Sequence, residues 1–466
     1  MRSRVKKREG RGSFLKGAVW IAAGGFTAKI IGALYRIPLT NLIGGKGLGL
    51  YQLVYPVYCL LLTVSATGIP SSIAKLTAER IGRGESEKPL FKTAMKLFLT
   101  IGLIGTAIMA IIAPFLARAQ GSEEVLGGYY TLAPSVLIVS AISVFRGYFQ
   151  GKNNMFPTAL SETVEQIVKV GAGLLFASLF KDNVAKAVVF LLLAVSISEL
   201  VALFLMVWIY RRQKRTKNPY LKQNEGGRVA MKYILKTSLP VTLGSILIPL
   251  SSLVDSVLAV RLLSAYSDNA VGLYGLFSGG AVTVINLPVS ICYGIAAASI
   301  PAVATARAQE EKDGVNADKK AMTGVRKRWL KSLAITVLVA LPAATGLYYF
   351  AEPIARTIYR SLSGEELAIL SELIRIFSLS AFTLSCAQTL SACLTAQGKP
   401  QHSATAMAAA MLVKTAVYFV LLKNPQNSVY GLAYATNIGY LLAFLLDLVY
   451  NFIVSKKARR QSAVNE

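Results

Sequence analysis

The chain reads as an all-α polytopic membrane protein, with about twelve transmembrane helices in two similar six-helix lobes. Three observations predict it. Of 466 residues, 54% are hydrophobic and 16% charged, and the mean hydropathy is +0.52. The apolar residues fall into blocks of about twenty, the length a helix needs to cross a hydrocarbon core of about 30 Å; Val188 to Tyr210 is such a block, with Glu199 its one charge. Two short motifs recur in the same order in both halves: Gly49-Leu-Tyr-Gln-Leu as Gly272-Leu-Tyr-Gly-Leu, and Gln150-Gly-Lys as Gln397-Gly-Lys.

Apolar runs and breakers place spans near 14–37, 48–74, 91–117, 126–150, 156–180, 184–210, 231–263, 270–304, 329–351, 368–396, 402–422 and 428–454. The basic N-terminus is followed by an apolar run that continues towards Pro38, too long for the core of a cleaved signal peptide, so it is read as the first helix. Equivalent spans lie six apart, an even number, which makes the repeats parallel about an axis near the membrane normal, with a central cavity between lobes. The basic stretch from Arg211 to Arg228 reads as the connection, dividing the chain into lobes 1–222 and 223–466.

Lys and Arg total 50 against 23 Asp and Glu, a formal net charge of +27. Their location excludes nucleic acid as the explanation, because they cluster at alternate helix ends. The N-terminus, Lys75 to Lys92, Lys152, Arg211 to Lys236, Arg307 to Lys331, Lys399 and Lys456 to Arg460 share one side; Glu123, Glu124, Asp182, Glu365 and Glu366 mark the other. The positive-inside rule then puts both termini in the cytoplasm of a multi-pass protein of a bacterial plasma membrane, in contact with anionic lipids. Cys59, Cys292, Cys386 and Cys393 lie in apolar segments without paired spacing and read as core thiols.

Several stretches resemble the stage V sporulation protein B-like branch of the polysaccharide exporters, within the multidrug/oligosaccharidyl-lipid/polysaccharide exporter superfamily. They are Phe14-Leu-Lys-Gly, Gly32 to Pro38, Gly47-Leu-Gly-Leu-Tyr, Gly68-Ile-Pro-Ser-Ser-Ile-Ala-Lys-Leu and Arg146-Gly-Tyr-Phe-Gln-Gly, the last followed by Met155, Pro157-Thr-Ala, Ser161 and Glu165-Gln. The resemblance implies a V-shaped pair of six-helix lobes and substrates that are undecaprenyl-pyrophosphate saccharides such as peptidoglycan precursors. Relatives in the branch carry two further C-terminal helices, which this reading of the chain lacks after its twelfth span. The superfamily also contains lipid II flippases, which place cavity cations on the first helix; their second-helix arginine has no counterpart in Leu60 to Gly68.

Charges inside spans are functional candidates because each is costly at the bilayer centre. Lys29 and Arg36 lie about two turns apart on one face of the first span. A guanidinium fork and a point-charge ammonium suit the two phosphates of a pyrophosphate. Arg146, at the cytoplasmic end of the fourth span, is a third candidate for an entering headgroup. Asp255 in the seventh span and Lys414 in the eleventh read as ion-coupling groups or a buried pair, Glu165 and Lys169 as an i, i+4 pair, and Glu199 as a cavity acid or a partner of Lys169. The resemblance implies sodium sites built from acids on the seventh and eleventh helices of some flippases; Lys414 would stand in for that metal. Pro56, Pro70, Pro240, Pro249 and Pro288 are candidate hinges.

No G-x-x-x-x-G-K-[ST] loop is present, and Gly44-Gly-Lys-Gly lacks its spacing, which argues against a nucleotide as the energy source. No metal-ligand set, cofactor motif or catalytic constellation is visible. The expectation is a monomeric, non-enzymatic flippase or exporter of a lipid-linked saccharide working by alternating access, with membrane potential, protons or sodium as its drive. A multidrug exporter of the same fold and a membrane saccharide transferase are the alternatives.

Overall fold

A computed structural model describes residues 2–66, 69–212, 245–312 and 322–464, with side chains described at 31 and 32, from 35 to 65, 69 to 212 except Ser71, 245 to 307 except Pro301, and 324 to 455. It is helical throughout, with no strand among those residues. Lipid offers no partner to backbone N–H and C=O groups, so each crossing segment satisfies its own as a helix.

The helices are α1 (Arg2–Ala66), α2 (Ile69–Gly82), α3 (Lys88–Ala119), α4 (Leu126–Gly151), α5 (Phe156–Leu179), α6 (Val184–Arg212), α7 (Leu247–Leu263), α8 (Ala270–Gly275), α9 (Val282–Lys312), α10 (Met322–Tyr349), α11 (Ala351–Ile358), α12 (Gly364–Ala396), α13 (Pro400–Leu421) and α14 (Tyr430–Val464). A π-helical turn, Leu276–Ala281, joins α8 to α9. α1 is two spans in one run, broken at Gly44, whose φ of 63° only glycine adopts without strain. Pro38 and Pro56 stay inside the helix. Within the predicted second span, 48–74, α1 is described to Ala66 and α2 from Ile69, with Pro70 its second residue; residues 67–68 lie outside the described residues. Residues 213–244, which hold most of the predicted connection, the start of the predicted seventh span, Pro240 and the proposed lobe boundary at 222, lie outside the described residues.

Nine helical stretches among the described residues are long and apolar enough to cross a bilayer. α5 is not one of them, because Glu162, Glu165 and Lys169 interrupt its apolar length. α7 is described over only 17 residues. Large apolar side chains face outward on the spanning helices, Ile111 at 76% and Phe115 at 74% exposure on α3 among them, as lipid contact requires.

By packing, the chain divides into two compact units, Met1–Val257 and Leu258–Glu466. Each has the same plan. In the first, α4 is central and packs on α3, α6 and α2, while α5 lies against α6. In the second, α12 is central and packs on α10, α14 and α9, while α13 lies against α14. These are the partners that a six-helix duplication assigns to one another, so the repeat seen in two short motifs is a repeat of packing.

The motif Arg146-Gly-Tyr-Phe-Gln-Gly has a packing cause. A Cβ on Gly147 would stand 2.8 Å from the Pro70 carbonyl oxygen, and one on Gly151 2.6 Å from that of Ala74, so these two glycines, one turn apart, let α2 lie directly on α4. Ile73, Phe91, Phe145, Tyr148 and Phe149 fill the space around that contact. In the second unit, the Gln397 side chain donates to Asn451 Oδ1 at 2.9 Å and Asn451 donates to the Leu390 carbonyl at 3.1 Å, tying the end of α12 to α14. α11, absent from the predicted spans, is a short amphipathic helix against α12 with an exposed Glu352–Arg356 pair at 2.6 Å.

Two ion pairs report which loops share an end of the first unit. Lys46, beside the Gly44 break, meets Glu124 between α3 and α4 at 2.9 Å. Glu87, before α3, meets Lys152, after α4, at 3.1 Å. Loops on either side of successive spans thus alternate between ends, as the charge pattern predicts.

Candidate functional site

The charged side chains of the first unit converge where α1, α5 and α6 face one another. Tyr51, Tyr55 and Tyr58 recur at helical spacing on the second segment of α1, so they share a face; Tyr51 and Tyr55 stack with ring centroids 5.1 Å apart. Lys169 of α5 holds its ammonium 5.9 Å from the Tyr55 ring centroid, close enough for a cation–π attraction. Arg36, half-buried on α1, and Lys169 both lie within electrostatic range of Cys59, and of each other. Gly173 on α5 makes this approach possible, since a Cβ there would run into the Tyr35 hydroxyl.

The predicted pairing within α5 is corrected. Glu165 does not bridge Lys169; its carboxylate takes a hydrogen bond from Arg146 of α4 at 3.0 Å. Arg146 also lies 3.9 Å from Glu162 and donates through Nε to Ser161 Oγ at 3.1 Å. The guanidinium fork reaches three groups on one face of α5, which an i, i+4 lysine cannot match. Arg146 therefore leaves the set of open cavity cations: its charge is neutralised within the protein, and it ties α4 to α5. Lys169, read as that pair's cation, makes no ion pair among the described residues.

Glu199 of α6 is 2% exposed. One carboxylate oxygen accepts a hydrogen bond from Tyr58; the other has no hydrogen-bond partner. Beside it the Ser135 and Ser196 hydroxyls bond to each other at 2.8 Å. Glu199 is thus neither lipid-facing nor bridged to Lys169, although the two interact through space.

Lys29 lies on the backbone of α1, and its side chain is outside the described residues. Asp255 is half-buried on α7 of the first unit. Lys414, on α13 of the second, is buried with its ammonium 5.4 Å from the Tyr418 ring centroid, and α14 comes close to it at Gly439. The four cysteines are free thiols.

Sequence reasoning missed Asp447 of α14, which is 2% exposed and has an oxygen, Oδ1, without a hydrogen-bond partner. A signal for it exists: Glu199-Leu-Val-Ala-Leu-Phe recurs as Asp447-Leu-Val-Tyr-Asn-Phe, an acid-Leu-Val-x-x-Phe match between the sixth and twelfth spans. It also missed the role of Lys152, whose ammonium bonds both Glu87 at 3.1 Å and the Tyr148 hydroxyl at 3.1 Å, while that hydroxyl donates to Glu87 at 3.2 Å. Desolvation acts against the Glu87 charge, but its own backbone N–H, Lys152 and Tyr148 outweigh it and hold the carboxyl below its usual range.

Comparison with known proteins agrees with this architecture. The family model described as "Polysaccharide biosynthesis protein" matches residues 14–307. Stage V sporulation protein B of Bacillus subtilis (strain 168) is 27% identical over 444 residues, 93% of this chain and 82% of that protein. Lipid II flippase MurJ of the same organism is 22% identical over 472 residues, 95% and 82% of the two chains. Among solved structures, the inward-facing conformation of a multidrug resistance MATE family transporter of the MOP superfamily shares the fold, with a TM-score of 0.74 at 17% identity over 92% of this chain and 95% of that one. The chain belongs to the polysaccharide biosynthesis protein family and is a multi-pass membrane flippase or exporter.

Proposed function

We propose that the chain moves an undecaprenyl-pyrophosphate-linked saccharide, lipid II or a related envelope precursor, across the plasma membrane by alternating access. The observation that carries this reading is Lys169: a half-buried ammonium on α5, without a carboxylate at ion-pair distance, within electrostatic range of Glu165 and Arg36 and against a tyrosine face. A cation held in that setting is costly unless an anion visits it. Arg36 and Lys169 bind the two phosphates, with Lys29 on the same face of α1 as a third cation. Tyr51 and Tyr55 offer rings to the first sugar and hydroxyls to its polar edge. The lipid tail stays in the bilayer, both termini face the cytoplasm, the lobes 1–222 and 223–466 rock about the substrate, and no covalent step is needed. The name of one relative, lipid II flippase MurJ, supports the substrate class, and the like-charged site disfavours cationic drugs.

Native mass spectrometry of the purified protein with an undecaprenyl-pyrophosphate saccharide tests this, comparing wild type with Lys169→Ala, Arg36→Ala and Lys29→Ala. Selective binding lost in Lys169→Ala and Arg36→Ala is the expected result. Binding unchanged in all three variants overturns the site, and retention of cationic dyes in place of the saccharide moves the assignment to a multidrug exporter.

A further inference from the structure

Glu199 has no role in holding the substrate, yet it sits beside the group that does. Its carboxyl is sealed from water, Tyr58 satisfies one oxygen, and the second oxygen meets no donor. A carboxylate oxygen left bare in a low-dielectric interior is unfavourable, whereas a proton added there removes the charge.

The groups that face Glu199 come from three helices. α1 contributes the Tyr58 hydroxyl and, further off, Tyr55, Cys59 and Arg36. From α4 comes the Ser135 hydroxyl, which lies 2.8 Å from Ser196 Oγ and also favours the Glu199 carboxylate as a hydrogen-bonding neighbour. α5 contributes Glu165 and Lys169, of which Glu165 is held by Arg146. Lys169 makes no ion pair among the described residues, and the charges it feels through space are those of Glu165, Arg36 and Glu199. An ionised Glu199 supplies Lys169 with a counter-charge through space. A phosphate arriving at Lys169 supplies the same charge from outside, and the two negative charges repel.

We infer that Glu199 is a proton-binding site linked to the anion site, so that one proton is taken up from solvent onto the Glu199 carboxyl as an anionic headgroup seats at Lys169 and Arg36. This rests on the anion-site reading above. Linkage is reciprocal: protonation tightens anion binding by the same factor by which the anion favours protonation. Asp447 is the built-in contrast. It occupies the matching acid-Leu-Val-x-x-Phe position and is as deeply buried, but makes no ion pair among the described residues and carries no such linkage here.

The test uses the full chain in lipid nanodiscs and geranyl-pyrophosphoryl-N-acetylglucosamine as probe, a pyrophosphate diester whose charge stays constant between about pH 6 and pH 9. Calorimetry in two buffers of different ionisation enthalpy counts protons taken up on binding. In wild type, affinity falls as pH rises, by up to about tenfold per pH unit where Glu199 titrates, and close to one proton is taken up on the high-pH side. Glu199→Gln binds with the low-pH affinity at every pH and takes up none. Asp447→Asn keeps the wild-type slope. Tyr58→Phe, which removes the donor to the carboxylate without changing charge, moves the slope to higher pH and serves if Glu199→Gln does not fold. Wild-type binding that is flat with pH, or a slope that survives Glu199→Gln, overturns the proton linkage and leaves the anion site standing. No binding by wild type at any pH overturns both.

Discussion

Arg146 on α4 is bound to Glu165 on α5 at 3.0 Å, and this contact decides which cation of the first unit is left for a ligand. With Arg146 committed, Lys169 stands without the partner that its own helix spacing suggested.

Removing Arg146 leaves two half-buried carboxylates, Glu162 and Glu165, facing each other without a cation. Arg146→Ala is expected to destabilise the first unit by about 1–3 kcal/mol. A double-mutant cycle with Glu165→Gln, read by thermal unfolding in detergent, should show clear coupling; additive effects would mean that the pair does not tie α4 to α5.

Lys169 is expected to behave oppositely. Lys169→Ala should abolish headgroup binding and leave the unfolding temperature unchanged or raised, because a half-buried charge without an ion pair at contact distance is removed. Lys169→Arg should retain part of the binding. A fall in stability matching the fall in binding would assign Lys169 a structural role instead.

Helix approach at Gly147 and Gly151 admits no side chain, since an added Cβ would meet the Pro70 carbonyl oxygen at Gly147 and the Thr77 Cβ and Ala74 carbonyl oxygen at Gly151. Gly147→Ala should cost about 1–3 kcal/mol, and Gly151→Leu should prevent accumulation of folded protein, measured by size-exclusion fluorescence. Gly82→Ala, where an added Cβ meets nothing within 4 Å, is the control and should be neutral.

In the Glu87–Lys152–Tyr148 triad, Glu87 and Lys152 lie just outside the spans and meet at the Tyr148 hydroxyl near the end of α4, which predicts a pH dependence. Glu87 is held below its usual range, so its stabilising contribution is present above the unfolded carboxylate value and is lost as pH falls through the lower folded value. Lys152 is shifted upward: desolvation opposes this, but Tyr148 and Glu87 prevail, so its contribution is lost only as pH rises through that raised value. Glu87→Gln should therefore melt below wild type at neutral pH, with the gap closing in acid. An equal gap at neutral and strongly acidic pH would show that the carboxylate charge is not what the triad uses.

Much of the fold was legible because lipid leaves a chain few choices. Runs of apolar residues must become helices, and their number and charge-marked ends follow from one-dimensional patterns. The duplication too was written in Gly49-Leu-Tyr and Gly272-Leu-Tyr, and the packing of α4 and α12 repeats it. The break between the first two spans, predicted between 37 and 48, falls at Gly44, while Pro38 stays helical.

The site was legible only as a set of costly charges. Helix spacing sees neighbours at i+4 on the same helix, and so paired Glu165 with Lys169. It cannot see a guanidinium arriving from α4, and that arrival reassigns both acid and base. Glu199 could be marked as an intramembrane acid from sequence, but its burial against Tyr58 and its bare oxygen depend on how α1 lies on α6. By itself the sequence determined that charges would be held inside the membrane; which of them are neutralised was decided by tertiary structure, because neutralisation depends on distances of about 3–4 Å between helices that local spacing does not encode.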